Sequence, residues 1–115
     1  MSFLDITVIP VPAGNKAAYL EHSRKTTVFF KEAGATSITE CWGEDVPEGK
    51  VTDFRKAVDL KEGEVVCVGW ITWPDKAVRD AAWEKLMTDE RMMGMEMPFD
   101  GRRMIFGGFD VIAEG

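Results

Sequence analysis

The chain has 115 residues, 45% hydrophobic and 30% charged, with 20 acids against 14 bases for a net charge of −6. That balance suits one globular domain over residues 1–115 and excludes a disordered tail, a collagen-like repeat and a coiled coil. No apolar run approaches the roughly 20 residues of a membrane span, and an acidic chain whose densest basic pair is Arg102-Arg103 lacks the footprint of a nucleic-acid or membrane-surface binder.

Residues 3–9 are rich in β-branched side chains and run into Pro10-Val11-Pro12, so a strand is expected to stop at Pro10, which cannot donate to a ladder. Asn15 is a candidate N-cap for a helix over 15–33, stopped by Gly34. Tyr19, Leu20, Ser23, Thr26, Thr27 and Phe30 fall on one side of that helix and Glu21, Arg24, Lys25, Lys31 and Glu32 on the other, a helical period. Residues 36–42 read as a second strand ended by Gly43. The stretch 43–64 has no clear element beyond a short turn over 54–58, capped by Asp53 and anchored by Phe54 and Val58. Residues 65–73 are the clearest strand, apolar on both alternating sets. Asp75 caps a second helix with a Val78, Ala82, Leu86 stripe, ending between Asp89 and Met93. Residues 103–113 are the last strand, with Gly107-Gly108 marking a bulge or a close approach.

The order β-α-β-β-α-β predicts an α+β ferredoxin-like fold, a four-stranded antiparallel sheet with two helices on one face. The helices cover one side only, while Val66, Val68 and Trp70 make the other side of residues 65–73 apolar as well. A homodimer burying sheet against sheet is the expected solution.

Glu40 and Trp42 share one side of their strand by alternation. A carboxylate facing a half-dry aromatic cavity has a raised pKa and suits a general base; alternatively Glu40 pairs with a cation at the sheet edge or dimer seam. Asp5 and Asp110 sit within neighbouring strands and need partners, for which Arg102, Arg103 or a second chain are candidates. His22 is the only histidine; it is a helix-boundary residue or a second catalytic candidate, and no nucleophile stands beside it in sequence. Trp42, Trp70, Trp73, Phe106 and Phe109 are expected to be mostly core, with a flat-ligand pocket as the alternative, and Tyr19 could bring its hydroxyl to such a pocket. Met87, Met92, Met93, Met95 and Met97 are read as flexible packing rather than a Cu(I) site. Asp100-Gly101 forms a turn suited to positive φ. Cys41 and Cys67 are expected as reduced thiols. No phosphate-loop, dinucleotide or zinc spacing occurs, so no metal and no cofactor are expected.

Glu40-Cys41-Trp42-Gly43, Asp45-Val46-Pro47, Gly49-Lys50, Thr52 and Phe54 resemble the hallmark of the YbaA-like proteins. Trp70, Trp73-Pro74, Met97-Pro98-Phe99-Asp100-Gly101, Arg103-Met104-Ile105 and Gly107-Gly108-Phe109 extend the likeness over nearly the whole chain. Asp53 stands where that family more often has serine. The resemblance implies a bacterial domain of unknown function in the dimeric α/β-barrel superfamily. That superfamily includes cofactor-independent monooxygenases, haem-degrading enzymes, isomerases and ligand-binding modules. The Asn, Trp and His set of the haem-degrading relatives has no counterpart here.

Together these readings give a homodimer that binds, and in a monooxygenase- or isomerase-like way transforms, a small organic molecule between sheet and helices. Glu40, Trp42, Trp70, Asp100 and Arg103 are the ligand-binding candidates, with Glu40 and His22 as the catalytic ones. The alternative is a non-catalytic dimer module whose motifs serve folding. The opening Met-Ser-Phe-Leu-Asp has no basic export-signal region, so a cytoplasmic location is expected.

Overall fold

The computed structural model describes residues 2–115; Met1 lies outside the described residues. Four strands, β1 (Phe3–Pro12), β2 (Ser37–Trp42), β3 (Glu64–Trp73) and β4 (Ile105–Asp110), form one antiparallel sheet in the order β2-β3-β1-β4. The helices α1 (Lys16–Glu32) and α3 (Lys76–Leu86) cross one face. This is the ferredoxin-like α+β arrangement expected from the element order.

Alternation divides the sheet cleanly. Phe3, Asp5, Ile9, Cys67, Gly69, Ile71, Trp73, Ile38, Glu40 and Trp42 point toward the helices, as the register and the core clusters show. Phe30 of α1 meets Trp73 edge-on, and Ala82 and Leu86 of α3 close the same core. Burial of these apolar side chains supplies most of the driving force.

β1 continues through Pro10 and Pro12 instead of stopping. Ala13 N–H donates to the Gly63 carbonyl, so odd-numbered β1 residues aim their backbone groups at β3 and even-numbered ones aim away from it. On that far side β4 pairing has already ended at Val8 and Ile105. The N–H that Pro10 lacks therefore has no ladder to serve. β4 is shorter than expected, because Arg103 N–H closes a turn on the Asp100 carbonyl before the strand begins. That turn does not use positive φ at Gly101; the glycines at positive φ are Gly34 and Gly63.

The helices show similar local departures. Asn15 stands at the N-cap of α1 but makes no side-chain cap bond; its amide donates instead to the Pro98 carbonyl at 2.9 Å. Leu20 lies on the exposed side of α1. α3 stops at Leu86, and a separate turn α4 (Glu90–Met93) follows, capped by the Asp89 carboxylate on Arg91 N–H. An aspartate that bonds the backbone two residues on competes with helix continuation. Asp53 caps α2 (Phe54–Ala57) by accepting from Lys56 N–H, as read from the sequence. Val58 anchors that turn alone, since Phe54 is exposed.

Asp5 is buried on β1 with no help from Arg102 or Arg103. Arg79 of α3 forks onto it at 2.7 Å, and the indole N–H groups of Trp73 and Trp83 each donate at 2.8 Å. Gly108, directly opposite on β4, is the close approach and not a bulge, for the register runs through it unbroken. A Cβ there would lie 2.8 Å from the Phe3 ring and 2.9 Å from Arg79 Nη2. Asp110, in contrast, is exposed on the edge strand.

The second face carries Leu4, Ile6, Val8, Val66, Val68, Trp70, Ile105 and Phe109 by the same alternation. Val58 and Leu60 cover the Val8–Val66 end. Ile105 and Phe109 remain exposed, as does Phe106 on the β4 edge, against the expectation that these aromatics are core. The fully buried tryptophan is Trp73, while Trp70 is half-buried. Met87, Met93 and Met97 are exposed rather than packed beneath a loop. With extents of 37 × 36 × 21 Å, the chain is a slab of one sheet layer and one helix layer.

Replacing Asp5 by Asn strands a guanidinium and turns an amide N–H₂ toward indole donors. Asp5→Asn is expected to lower the unfolding free energy by about 3 kcal/mol. Arg102→Ala, at a solvent-exposed guanidinium, should change it by less than about 0.5 kcal/mol. Urea titration of the two variants checks both.

Candidate functional site

A second carboxylate enters the helix-facing side from β2. Glu40 occupies an exposed edge-strand position, but its carboxyl is folded inward over Gly69 of β3, where a Cβ would stand 2.6 Å from Oε2. The missing side chain makes the space. Tyr19, buried on the first turns of α1, donates its hydroxyl to Glu40 Oε2 at 2.6 Å. Its ring contacts Trp42, two residues along β2, with centroids 6.5 Å apart, and Phe99 at 5.9 Å. His22, one helical turn after Tyr19, meets Phe99 edge-on at 5.8 Å. Lys16 lies over the Trp42 ring.

The electrostatics follow from burial. Desolvation raises the Glu40 pKa above the ordinary carboxylate range, and the Tyr19 hydrogen bond only partly opposes it. Tyr19 is pushed upward by burial first and then by the Glu40 charge, so the phenol keeps its proton. Burial pushes the neighbouring Cys67 thiol up to about 11. His22 is lowered by desolvation and by Lys25, only partly opposed by a hydrogen bond with the Glu96 backbone, so the neutral ring is favoured, and its Nδ1 is buried with no hydrogen-bond partner.

Arg103 does not serve Glu40 within the chain. Its guanidinium forks onto Glu64 at 2.6 and 2.7 Å, reaches the Asp59 carbonyl at 2.9 Å, and takes Asp100 through Nε at 3.0 Å. This clamp ties the 43–64 segment to the turn before β4, and it holds the Glu64 carboxyl below its ordinary pKa. Phe99 and Met104, beside the clamp in sequence, pack against the same buried cluster as Trp42, that of Ile9, Val11, Tyr19 and Cys67. The two sequence motifs therefore meet at one end of the sheet through apolar contacts, while their charges are used separately. Trp70 lies on the opposite face from Glu40 and Trp42. Cys41 and Cys67 are free thiols, exposed and buried respectively.

Two surface crevices of about 130 and 200 Å³ lie elsewhere, one between α1 and α4 beside Arg91 and one beside α2. Neither is lined by Glu40, Trp42, Trp70, Asp100 or Arg103. Phe99 occupies the space over Tyr19 and His22 instead. Among the described residues no cluster of His, Cys, Asp and Glu is arranged to hold a metal.

Gly69 and Phe99 were not singled out from the sequence as site residues. A lone glycine in a β-branched strand is a signal of close approach, and it could have located Gly69. Phe99 comes from an irregular segment with no period to read.

A family profile described as a protein of unknown function (DUF1428) matches residues 2–101. The uncharacterised protein YbaA of Escherichia coli K12 is 53% identical over 116 residues, covering 99% of each chain, and that of Shigella flexneri matches equally. A solved Bacillus cereus structure, described as a candidate antibiotic biosynthesis monooxygenase, superposes with TM-score 0.60 at 14% identity over 100% of this chain and 95% of its own. At that identity the likeness concerns the fold.

A carboxyl-carbon NMR titration of Glu40 should give a midpoint above the ordinary 4.5. Tyr19→Phe, which removes a bond favouring the charged form, should raise it further. The native state then keeps a proton that the unfolded chain has released. This carboxyl's share of stability therefore falls as pH climbs from the ordinary value through the folded midpoint. A midpoint at or below 4.5 would contradict the desolvation argument.

Proposed function

The chain belongs to this family of proteins of unknown function, and on that footing we propose that it is a cytoplasmic homodimer, one domain per chain, that binds a small organic molecule between sheet and helices and uses Glu40 as a general base. The observation that carries the reading is a desolvated carboxyl hydrogen-bonded to a buried tyrosine, with no cation offsetting its charge. Such a group takes up a proton more readily than an ordinary carboxylate. A carbon or oxygen acid would lose its proton to Glu40 and retain the electron pair as an enolate or phenolate. Returning the proton at another carbon completes an isomerisation without a co-reactant. Dioxygen added to a carbanion that keeps a second hydrogen would give, after protonation, a hydroperoxide; loss of that hydrogen and cleavage of the O–O bond release water and leave a ketone, the monooxygenase-like outcome suggested by the Bacillus cereus neighbour's description. Trp42 and Tyr19 supply aromatic walls, His22 is the second polar group, and no cofactor is invoked.

Trp70, Asp100 and Arg103 belong to this reading through the dimer. Trp70 shares the second face with Leu4, Ile6, Val68, Ile105 and Phe109, an apolar surface suited to a second copy of itself. The Asp100–Arg103 turn and Trp42 lie at one end of the sheet, where a partner would form the rim of the cleft. Two free thiols and an acidic surface suit a reducing cytoplasm.

The filled space beneath Phe99 favours a second reading, a non-catalytic dimer module whose motifs hold the fold. A thermal-shift screen against small ketones, phenols and quinones separates the two. The first reading expects a ligand that stabilises by about 2.7 kcal/mol at a hundred times its Kd, with turnover of that ligand lost in Glu40→Gln. A screen without ligands supports the second.

Light scattering at micromolar concentration should report twice the 12.9 kDa chain mass, and Trp70→Glu should halve it. A wild-type chain that stays at 12.9 kDa would contradict the dimer.

A further inference from the structure

Residues 95–104 carry no regular element, and glycines at 94 and 101 bracket Phe99. Residues 95–99 are held over Tyr19 and His22 by the Phe99 ring, by the Glu96 backbone beside His22 and by the Asn15 amide on the Pro98 carbonyl at 2.9 Å, while Asp100 and Arg103 are fixed by the clamp to Glu64. Its docked position leaves polar groups unserved. Asn15 gives up its capping bond to α1, although this residue type favours the cap. His22 Nδ1 is buried without a partner, which costs free energy in any closed structure. An apolar ring thus packs on His22, whose Nδ1 is unsatisfied, and on Tyr19, the donor to Glu40. A segment docked at such cost is poised to exchange with an occupant that makes the missing bond.

We propose that residues 95–99 are a lid hinged on the fixed Asp100–Arg103 clamp and that the ligand beneath it is a planar ring bearing a hydroxyl group, which takes the place of Phe99 against Tyr19 and His22. The ring replaces Phe99's edge-to-face contacts. The hydroxyl, both donor and acceptor, satisfies His22 Nδ1 in either tautomer. The inference rests on reading Glu40 as the base of a small-molecule site, because a hydroxylated ring is a weak acid that such a base can deprotonate.

Phenol is the probe, with toluene as the ring lacking a hydroxyl. In the full-length protein phenol should shift the ring NMR signals of His22 and Tyr19. Phe99→Ala should bind phenol about tenfold tighter, as expected when a lid closed about nine-tenths of the time is removed, and should prefer it to toluene. Asn15→Asp keeps an oxygen able to cap α1 but loses the N–H held by Pro98. It should speed hydrogen exchange across 95–99 and tighten phenol binding, and this arm decides the matter if Phe99→Ala does not fold. Unchanged phenol affinity in the folded variants, equal binding of toluene, or unmoved His22 signals would overturn the proposal. Glu40→Gln in the Phe99→Ala background should still bind phenol. A raised Glu40 titration midpoint without phenol binding refutes the lid and ligand alone, whereas phenol binding with an ordinary midpoint refutes the base.

Discussion

A charge between a sheet and its helices needs both space and donors, and this constraint shapes the sheet in two places. Asp5 on β1 and Glu40 on β2 both point into the helix-facing layer, and each stands across the ladder from a glycine, Gly108 and Gly69, that leaves room for the carboxyl or for its donor. A glycine in a strand is otherwise a weakening choice. At Gly69 it lets the Glu40 carboxyl lie where a side chain would have stood; at Gly108 it admits the Phe3 ring and the Arg79 guanidinium that serves Asp5. Phe3 and Arg79 fill the first gap while Trp83 donates to Asp5, and the Glu40 carboxyl fills the second and takes the Tyr19 hydroxyl.

The two carboxyls then diverge through their donors. Asp5 receives a forked guanidinium and two indole N–H groups, a network that satisfies its charge and ties β1, β3 and α3 together. Charge-assisted forked bonds of this kind are among the strongest a protein makes. Glu40 has one neutral phenol and desolvation, so its proton affinity rises. The first arrangement fixes a fold; the second leaves a carboxyl able to take a proton. Arg103 makes the same contrast from the cationic side, since its donors are already taken by Glu64, Asp100 and a backbone carbonyl. Its place in the long sequence motif is explained by joining the 43–64 segment to the turn before β4.

Most of the fold was legible because its signals are local and periodic. Alternation in β3, the helical stripe through Ala82 and Leu86 and the caps at Asp53 and Asp75 each act within a few residues of their effect. Alternation also put Glu40 and Trp42 on one side. Pro10 misled because its tolerance depends on where another strand ends. The partner of Asp5 was hidden because Arg79 lies 74 residues away on a helix surface that reads as solvent-facing. Phe99 and Asn15 meet the site through an irregular segment whose contact spans 83 residues. No period encodes such a meeting.

Carboxylates that serve a fold and those that serve a ligand part company when their charge is removed. Residues kept for function are commonly held at a cost in stability. The most direct measurement is urea unfolding of Glu40→Gln at neutral pH, where an amide keeps an oxygen for the Tyr19 hydroxyl while sparing the burial of a charge. The account predicts a variant at least as stable as the parent. A loss of about 2 kcal/mol or more, the size expected when a buried structural hydrogen bond is broken, would make Glu40 a second Asp5 and contradict its reading as a base.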